Sequence, residues 1–232
     1  MTIFRYALIR GLKNPFSIAC NCILPIALIL IRPLWTGDMT AGFFFIAFVI
    51  IGGTLMMSQS ILTDKIGGTV IRILAAPVTM LHYLVANLLA CMVPLLFQLI
   101  LICILGSALY GWSTGFSLAL FLCYTVFSLA SVSMAFAWHC LFKDRDTSLN
   151  SFGILATFMA LLGGLFTPLD ILPDPLQYLG AIFPVYWAAR GLDAILAADI
   201  GSYVSGDYWL SLAAMLLFTT AYLLYGGKRR II

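Results

Sequence analysis

General acid–base catalysis and metal ligation both need several ionisable side chains brought to one place, and this chain holds few of them. It has two histidines, His82 and His139, nine aspartates and no glutamate. The densest cluster is His139, Lys143, Asp144, Arg145 and Asp146. An intramembrane enzyme would use such a cluster for proton transfer, but charges at the end of an apolar run more commonly anchor topology. Cys20-x-Cys22 has the spacing of half a soft-metal site; no second pair accompanies it, so no metal is expected. All six cysteines lie in or near apolar runs and read as small packing residues, not disulfide partners. What remains is a polar set, Asp64, Lys65, Gly68, Thr69 and Arg72, and a glycine–proline set spread over residues 163–184. Both suit docking and gating better than bond chemistry.

The elements that must carry these residues are membrane spans. Hydrophobic residues make up 63% of the chain and charged residues 9%, against about 25% charged in a soluble domain. A transmembrane helix needs about 20 mainly apolar residues. Runs of that kind lie near residues 17–35, 41–62, 82–109, 115–141, 150–166 and 208–226. The sequence therefore predicts an all-α integral membrane protein of six spans, forming one domain over residues 1–232. A further apolar helix near 185–198 contains Arg190 and Asp193 and is expected to be interfacial or packed on protein. No cleavable leader is expected, because the first apolar run follows a charged stretch without a small-residue cleavage site.

Cation placement sets the orientation. Of the 12 Lys and Arg residues, ten fall on the side of both termini: Arg5, Arg10, Lys13, Lys65, Arg72, Lys143, Arg145, Lys228, Arg229 and Arg230. Only Arg32 and Arg190 fall on the other. Both termini are therefore expected in the cytoplasm, with the chain in a plasma membrane of bacterial type.

Residues 1–14 read as an interfacial amphipathic helix. Ile3, Phe4, Ala7, Leu8, Gly11 and Leu12 share one face, and Thr2, Arg5, Tyr6, Arg10 and Lys13 the other, with Ile9 the exception. Arg5, Arg10 and Lys13 would reach anionic headgroups, and Asn14-Pro15 ends the helix. The cytoplasmic segment 63–80 is too polar to span and too apolar for a plain loop. Wound as one helix, it puts Asp64, Lys65, Gly68 and Arg72 on a charged face and Ile66, Val70, Ile73 and Leu74 on an apolar one. Pro77 closes it. The apolar face would rest on the bundle, leaving the charged face free for a soluble partner. A solvated connector whose charges only anchor topology is the alternative.

Residues 163–184 hold Gly163, Gly164, Pro168, Pro173, Pro175 and Pro184 among large apolar residues. These prolines forbid a continuous helix. Broken backbone at membrane depth survives only where protein buries it or a cavity wets it. The segment therefore predicts two short helices that dip into the outer leaflet and return. Such a hairpin could plug the outer end of a pathway. Phe166, Leu169 and Phe183 would supply bulk, Gly163 and Gly164 close approach or flexing, and Pro168, Pro173 and Pro184 the bends.

These two stretches resemble the membrane-spanning subunits of type-2 ABC exporters. An acidic residue, Gly-Thr, a cation and a proline recur there between spans two and three; here they are Asp64, Gly68-Thr69, Arg72 and Pro77, with aspartate where glutamate is more usual. Gly163-Gly164, Pro168, Leu172-Pro173 and Pro184 match the second pattern. The resemblance implies a permease that binds no cofactor itself; ATP and Mg would be bound by a separate ATPase subunit, present in two copies. That agrees with the lack of a GxxxxGK[ST] loop. It also implies that the helix between spans two and three docks on the ATPase and couples closure to transport, with Asp64, Lys65, Gly68, Thr69 and Arg72 at the contact. A second permease, identical or homologous, would complete the pathway, and no nucleic acid is implied. Nearly charge-free spans favour an amphipathic or apolar cargo, such as a drug, peptide or lipid-like molecule. The alternatives are an ion-gradient-driven transporter, which needs ionisable groups inside its spans, and the intramembrane enzyme above.

Overall fold

The computed structural model describes residues 2–13, 15–35, 41–75, 78–167, 171, 173–197 and 205–228. Among them every regular element is helical: α1 (Thr2–Lys13), α2 (Pro15–Leu30), α3 (Ala41–Ile66), α4 (Thr69–Leu74), α5 (Met80–Tyr110), α6 (Thr114–His139), α7 (Arg145–Leu162), α8 (Asp174–Gly180), α9 (Pro184–Leu196) and α10 (Gly206–Lys228). A 3-10 turn, Arg32–Leu34, follows α2.

Helices α2, α3, α5, α6, α7 and α10 fall on the six apolar runs. Four of them, α3, α5, α6 and α10, are long and apolar enough to cross a membrane. Helix α2 has 16 residues, and the first six residues of α7, Arg145 to Asn150, are polar but for Leu149. Helix α5, at 31 residues, spans about 46 Å at 1.5 Å per residue. That exceeds a hydrocarbon core of about 30 Å, so a span of this length has to tilt or project beyond the core.

Helix α6 is the centre of the bundle: 67% of its apolar stretch is buried, against 28% for α10, whose outer face is left to lipid or another chain. One apolar cluster joins α3, α6, α7, α9 and α10 through residues such as Ile50, Phe127, Phe152, Leu192 and Met215. A second lies at the α1–α4 end, around Ile61, Val70, Tyr83, Leu84 and Phe136. At the opposite end the rings of Trp35, Phe43, Tyr110, Trp112 and Phe116 pack together, mostly edge-on or tilted. This group also ends α2. Pro33 has no N–H to give the carbonyl four residues back; the Tyr110 hydroxyl instead donates to Ile29 O at 2.5 Å, and Trp35 Nε1 to Leu28 O at 2.9 Å.

The expectation for 163–184 needs one correction of register. Only α8 lies inside that range; the second limb is α9, the helix expected separately near 185–198. The two limbs form one bent pair with an angle of 106°. Their break falls at Ala181–Phe183 because Pro184 suits the first turn of a helix, where a missing N–H costs nothing. Trp187 Nε1 donates to Ala181 O across the elbow at 3.0 Å. Helix α9 is packed on protein: Val185, Ala188, Ala189 and Leu192 are buried.

Candidate functional site

The junction of α3 and α4 brings the first candidate set together. Gly67 continues the last turn of α3, its N–H reaching Thr63 O at 2.9 Å. Gly68 then takes φ +67°, a left-handed conformation that costs an L side chain about 1 kcal/mol or more and glycine nothing. The chain bends there and restarts as α4. No atom lies within 4 Å of a Cβ built on Gly68, so its role is the turn, not close approach.

The bend changes which way the neighbouring side chains face. Asp64 was expected on the free charged face; it points inward and is only 8% exposed. Its Oδ1 accepts from Arg10 Nη1 of α1 at 2.5 Å, and its Oδ2 from the Tyr83 hydroxyl of α5 at 2.7 Å. Lys65 also turns to the bundle. Its Nζ donates to the carbonyls of His139, Cys140 and Phe142 at 3.2, 2.9 and 2.7 Å. These lie at and just beyond the C-terminus of α6, where orphan carbonyls and the helix dipole favour a cation. Ile66, expected against the bundle, is 51% exposed. Past Gly68 the reading holds better: Val70 is fully buried, and Thr69 and Arg72 are exposed beside Ile71. Pro77 lies outside the described residues.

Arg10 likewise leaves the polar face expected of it, whereas Arg5 and Lys13 stay exposed. Burial works to lower the Arg10 pKa, but hydrogen bonding and attraction to Asp64 outweigh it and raise the value. Three elements therefore meet on one carboxylate. Tyr83 completes this clamp, and nothing in the sequence distinguishes it from other aromatic residues at a span end.

A second buried polar node lies nearby. The His139 ring bridges Ser58 of α3 and Ser148 of α7, both at 2.8 Å. The charges after it do local work: Asp144 accepts from the Thr147 N–H and hydroxyl at 2.8 and 2.7 Å, opening α7. Those bonds hold its carboxyl below the usual range. Arg145 donates to Gln59 at 2.9 Å. Among the described residues no three His, Cys, Asp or Glu side chains meet as a metal site.

The hairpin set occupies the other end. Gly163 and Gly164 have different tasks. A Cβ on Gly163 would stand 2.5 Å from Met159 O, 2.7 Å from Val185 Cγ1 and 3.0 Å from Tyr186 N, so α9 touches α7 there. Gly164 takes φ +88°, and Leu165 N–H returns to Ala160 O at 3.0 Å, the helix-ending pattern that favours glycine. Gly180, not singled out in the sequence, packs α8 just as closely on the Leu162 carbonyl. Phe166 is 40% exposed and packs at a tilt against Phe48 and Phe45 of α3, ring centres 4.9 and 6.0 Å away. Phe183 is half-buried against the main core, and Pro173 precedes α8. Pro168 and Leu169 lie outside the described residues. Arg190 pairs with Asp207 at 2.8 Å and lies over the Trp187 ring, fastening α9 to the start of α10.

No curated protein matches the chain. A family model described as ABC-2 family transporter protein matches residues 34–227, which takes in α3 to α9 and all but the last residue of α10. The spans from α3 onward, the glycine-broken junction of α3 and α4, and the bent α8–α9 pair fall inside that match, and the chain belongs to the ABC-2 transporter family as a multi-pass membrane permease component.

Proposed function

We propose that this chain is the membrane-spanning half of an ATP-driven exporter, moving an amphipathic or apolar cargo outward by alternating access. Two copies of a separate ABC ATPase would supply the energy, and a second permease, identical or homologous, would complete the pathway. The observation that carries this reading is the α3–α4 junction. On one side of Gly68, Asp64 and Lys65 tie the end of α3 to α1, α5 and α6. On the other, Thr69, Ile71 and Arg72 are exposed. A soluble partner pressing on α4 would thus act on a short stiff element fastened to the bundle. Ile71 and Arg72 are the contact in this reading, and Asp64 and Lys65 the fastening. Such a partner shifts an inward–outward equilibrium only as far as its affinities for the two states differ.

Arg72→Glu is expected to reduce cargo-stimulated ATP hydrolysis of the assembled complex roughly 5- to 10-fold, the lower range of an ordinary coupling free energy. Membrane insertion should be unchanged. Copurification of the chain with an ATPase comes first; undiminished stimulation in Arg72→Glu would remove α4 from the coupling route. Cytoplasmic termini belong to the same proposal, supported by the cation bias. In intact cells an impermeant thiol reagent should label Thr114→Cys, at the Trp112 end, and spare Arg145→Cys. Labelling at 145 would invert the topology.

A further inference from the structure

A cleft of about 610 Å³ opens between α1, α4 and α5, within the range of about 300–1,000 Å³ usual for small-molecule sites. Ile3 and Ala7 of α1 and Ile73 of α4 supply apolar wall, while Arg10, Lys13 and Asp64 bring charge to the same space. Asp64 is already matched by Arg10, so Lys13 leaves the cleft net positive, and Arg5 is exposed on the same helix. Arg10 has donors beyond those that Asp64 takes, and its buried Nε has no hydrogen-bond partner among the described residues. A soluble anion would fit the cations but waste the apolar wall; an uncharged amphiphile would do the reverse.

We propose that this cleft holds one anionic phospholipid from the leaflet that α1 borders, its phosphate at Lys13 and Arg10 and one acyl chain along Ile3, Ala7 and Ile73. Basic pockets between transmembrane helices recognise lipid headgroups in this way. The bound lipid would fill the space between the amphipathic helix and the Asp64 clamp, so α1 would be held by lipid as well as by its ion pair. The proposal concerns a resident lipid and stands whether or not the chain exports anything.

The test uses the full-length chain, in whatever assembly it purifies, in nanodiscs of phosphatidylcholine with a minor fraction of phosphatidylglycerol. Native mass spectrometry after release counts the phospholipid retained. The wild type should keep one phosphatidylglycerol per chain in preference to phosphatidylcholine. Lys13→Gln, which leaves the Arg10–Asp64 pair intact, should weaken that preference about fivefold, the worth of one cation at an anionic surface. Ala7→Trp should fill the wall and abolish retention. Lys228→Gln, a cation at the far end of α10 outside the cleft, should change nothing. Equal retention in all four proteins would overturn the proposal, and so would displacement of the lipid by inorganic phosphate alone.

Discussion

Asp64→Ala is expected to destabilise the chain by about 2–3 kcal/mol, below the 3–5 typical of a fully buried broken pair because one partner reaches water. The carboxylate is almost out of solvent, with its side chain 11% exposed, while that of Arg10 is 40% exposed. Removing it strips Arg10 of its counter-charge and leaves the Tyr83 hydroxyl without its acceptor in a buried site, and an unmade buried hydrogen bond costs about 1–3 kcal/mol. Asp64→Asn keeps an acceptor for Tyr83 and should cost less than the alanine. Paired with Arg10→Gln in a double-mutant cycle, it should give a coupling energy of about 1 kcal/mol or more. Arg72→Ala, exposed on α4, serves as the reference and should fall within about 0.5 kcal/mol of the parent. Thermal or denaturant unfolding in detergent micelles reads all five variants, the double one included. A loss for Asp64→Ala no greater than for Arg72→Ala would mean that the three-element clamp does not hold in solution.

That expectation bears on how the α3–α4 region is probed. A charge reversal at Asp64 would damage the fastening of α1 and α5 whatever a partner does, so lost activity there cannot be assigned to docking. Arg72 is the cleaner probe because its side chain faces outward. Lys65 differs from its neighbour in what its loss would leave behind. Lys65→Gln would forfeit the cation at the end of α6, worth about 0.3–1 kcal/mol at an exposed helix end and up to about 2 when partly buried, without leaving a buried charge behind.

The sequence made the membrane class legible because it rests on bulk quantities: 63% hydrophobic residues and long uncharged runs are hard to reconcile with any other solvent. Helix ends were legible where covalent chemistry sets them, as at Pro15, which opens α2, and at Pro184, which opens α9. The orientation of Asp64 and Lys65 was not legible, and the reason is phase. A helical wheel drawn through residues 64–74 assumes one continuous helix, whereas the left-handed Gly68 resets the rotation, so Asp64 and Lys65 belong to α3 and Arg72 to α4. The glycine pair was itself the warning. Tyr83 and the His139 node escaped for another reason: each gains its meaning from partners on other helices, 9 to 81 residues away, and one sequence carries no trace of such pairings. The hairpin is legible as broken helix from its prolines, but its second limb reads as a separate element because a 106° elbow leaves no periodicity to follow.

The largest steric effect is expected at the hairpin seam. Gly163→Ala would drive a Cβ to 2.5 Å from Met159 O and 3.0 Å from Tyr186 N, and backbone atoms cannot move aside as a side chain does. Gly180→Ala meets the Leu162 carbonyl more closely still. Overpacking costs about 1–3 kcal/mol, occasionally more, and each of these should reach about 3. Gly153→Ala, in the same α7 with no atom near its Cβ, should be neutral or raise stability by up to about 1 kcal/mol through helix propensity. This ordering tests whether the hairpin is stapled to α7. A gating role requires a different result. Phe166 is 40% exposed and rests on Phe45 and Phe48, so Phe166→Ala should cost little stability, about 1 kcal/mol, because much of its apolar area is already uncovered. If the ring also closes the outer end of a pathway, the same variant should change cargo-stimulated ATP hydrolysis several-fold. Measuring unfolding and activity on the same purified proteins separates the two roles. Seam variants that unfold early, beside a stable Phe166→Ala of altered activity, would give the hairpin a fixed limb and a working tip. A Phe166→Ala protein that loses stability yet keeps full activity per folded molecule would leave only the staple.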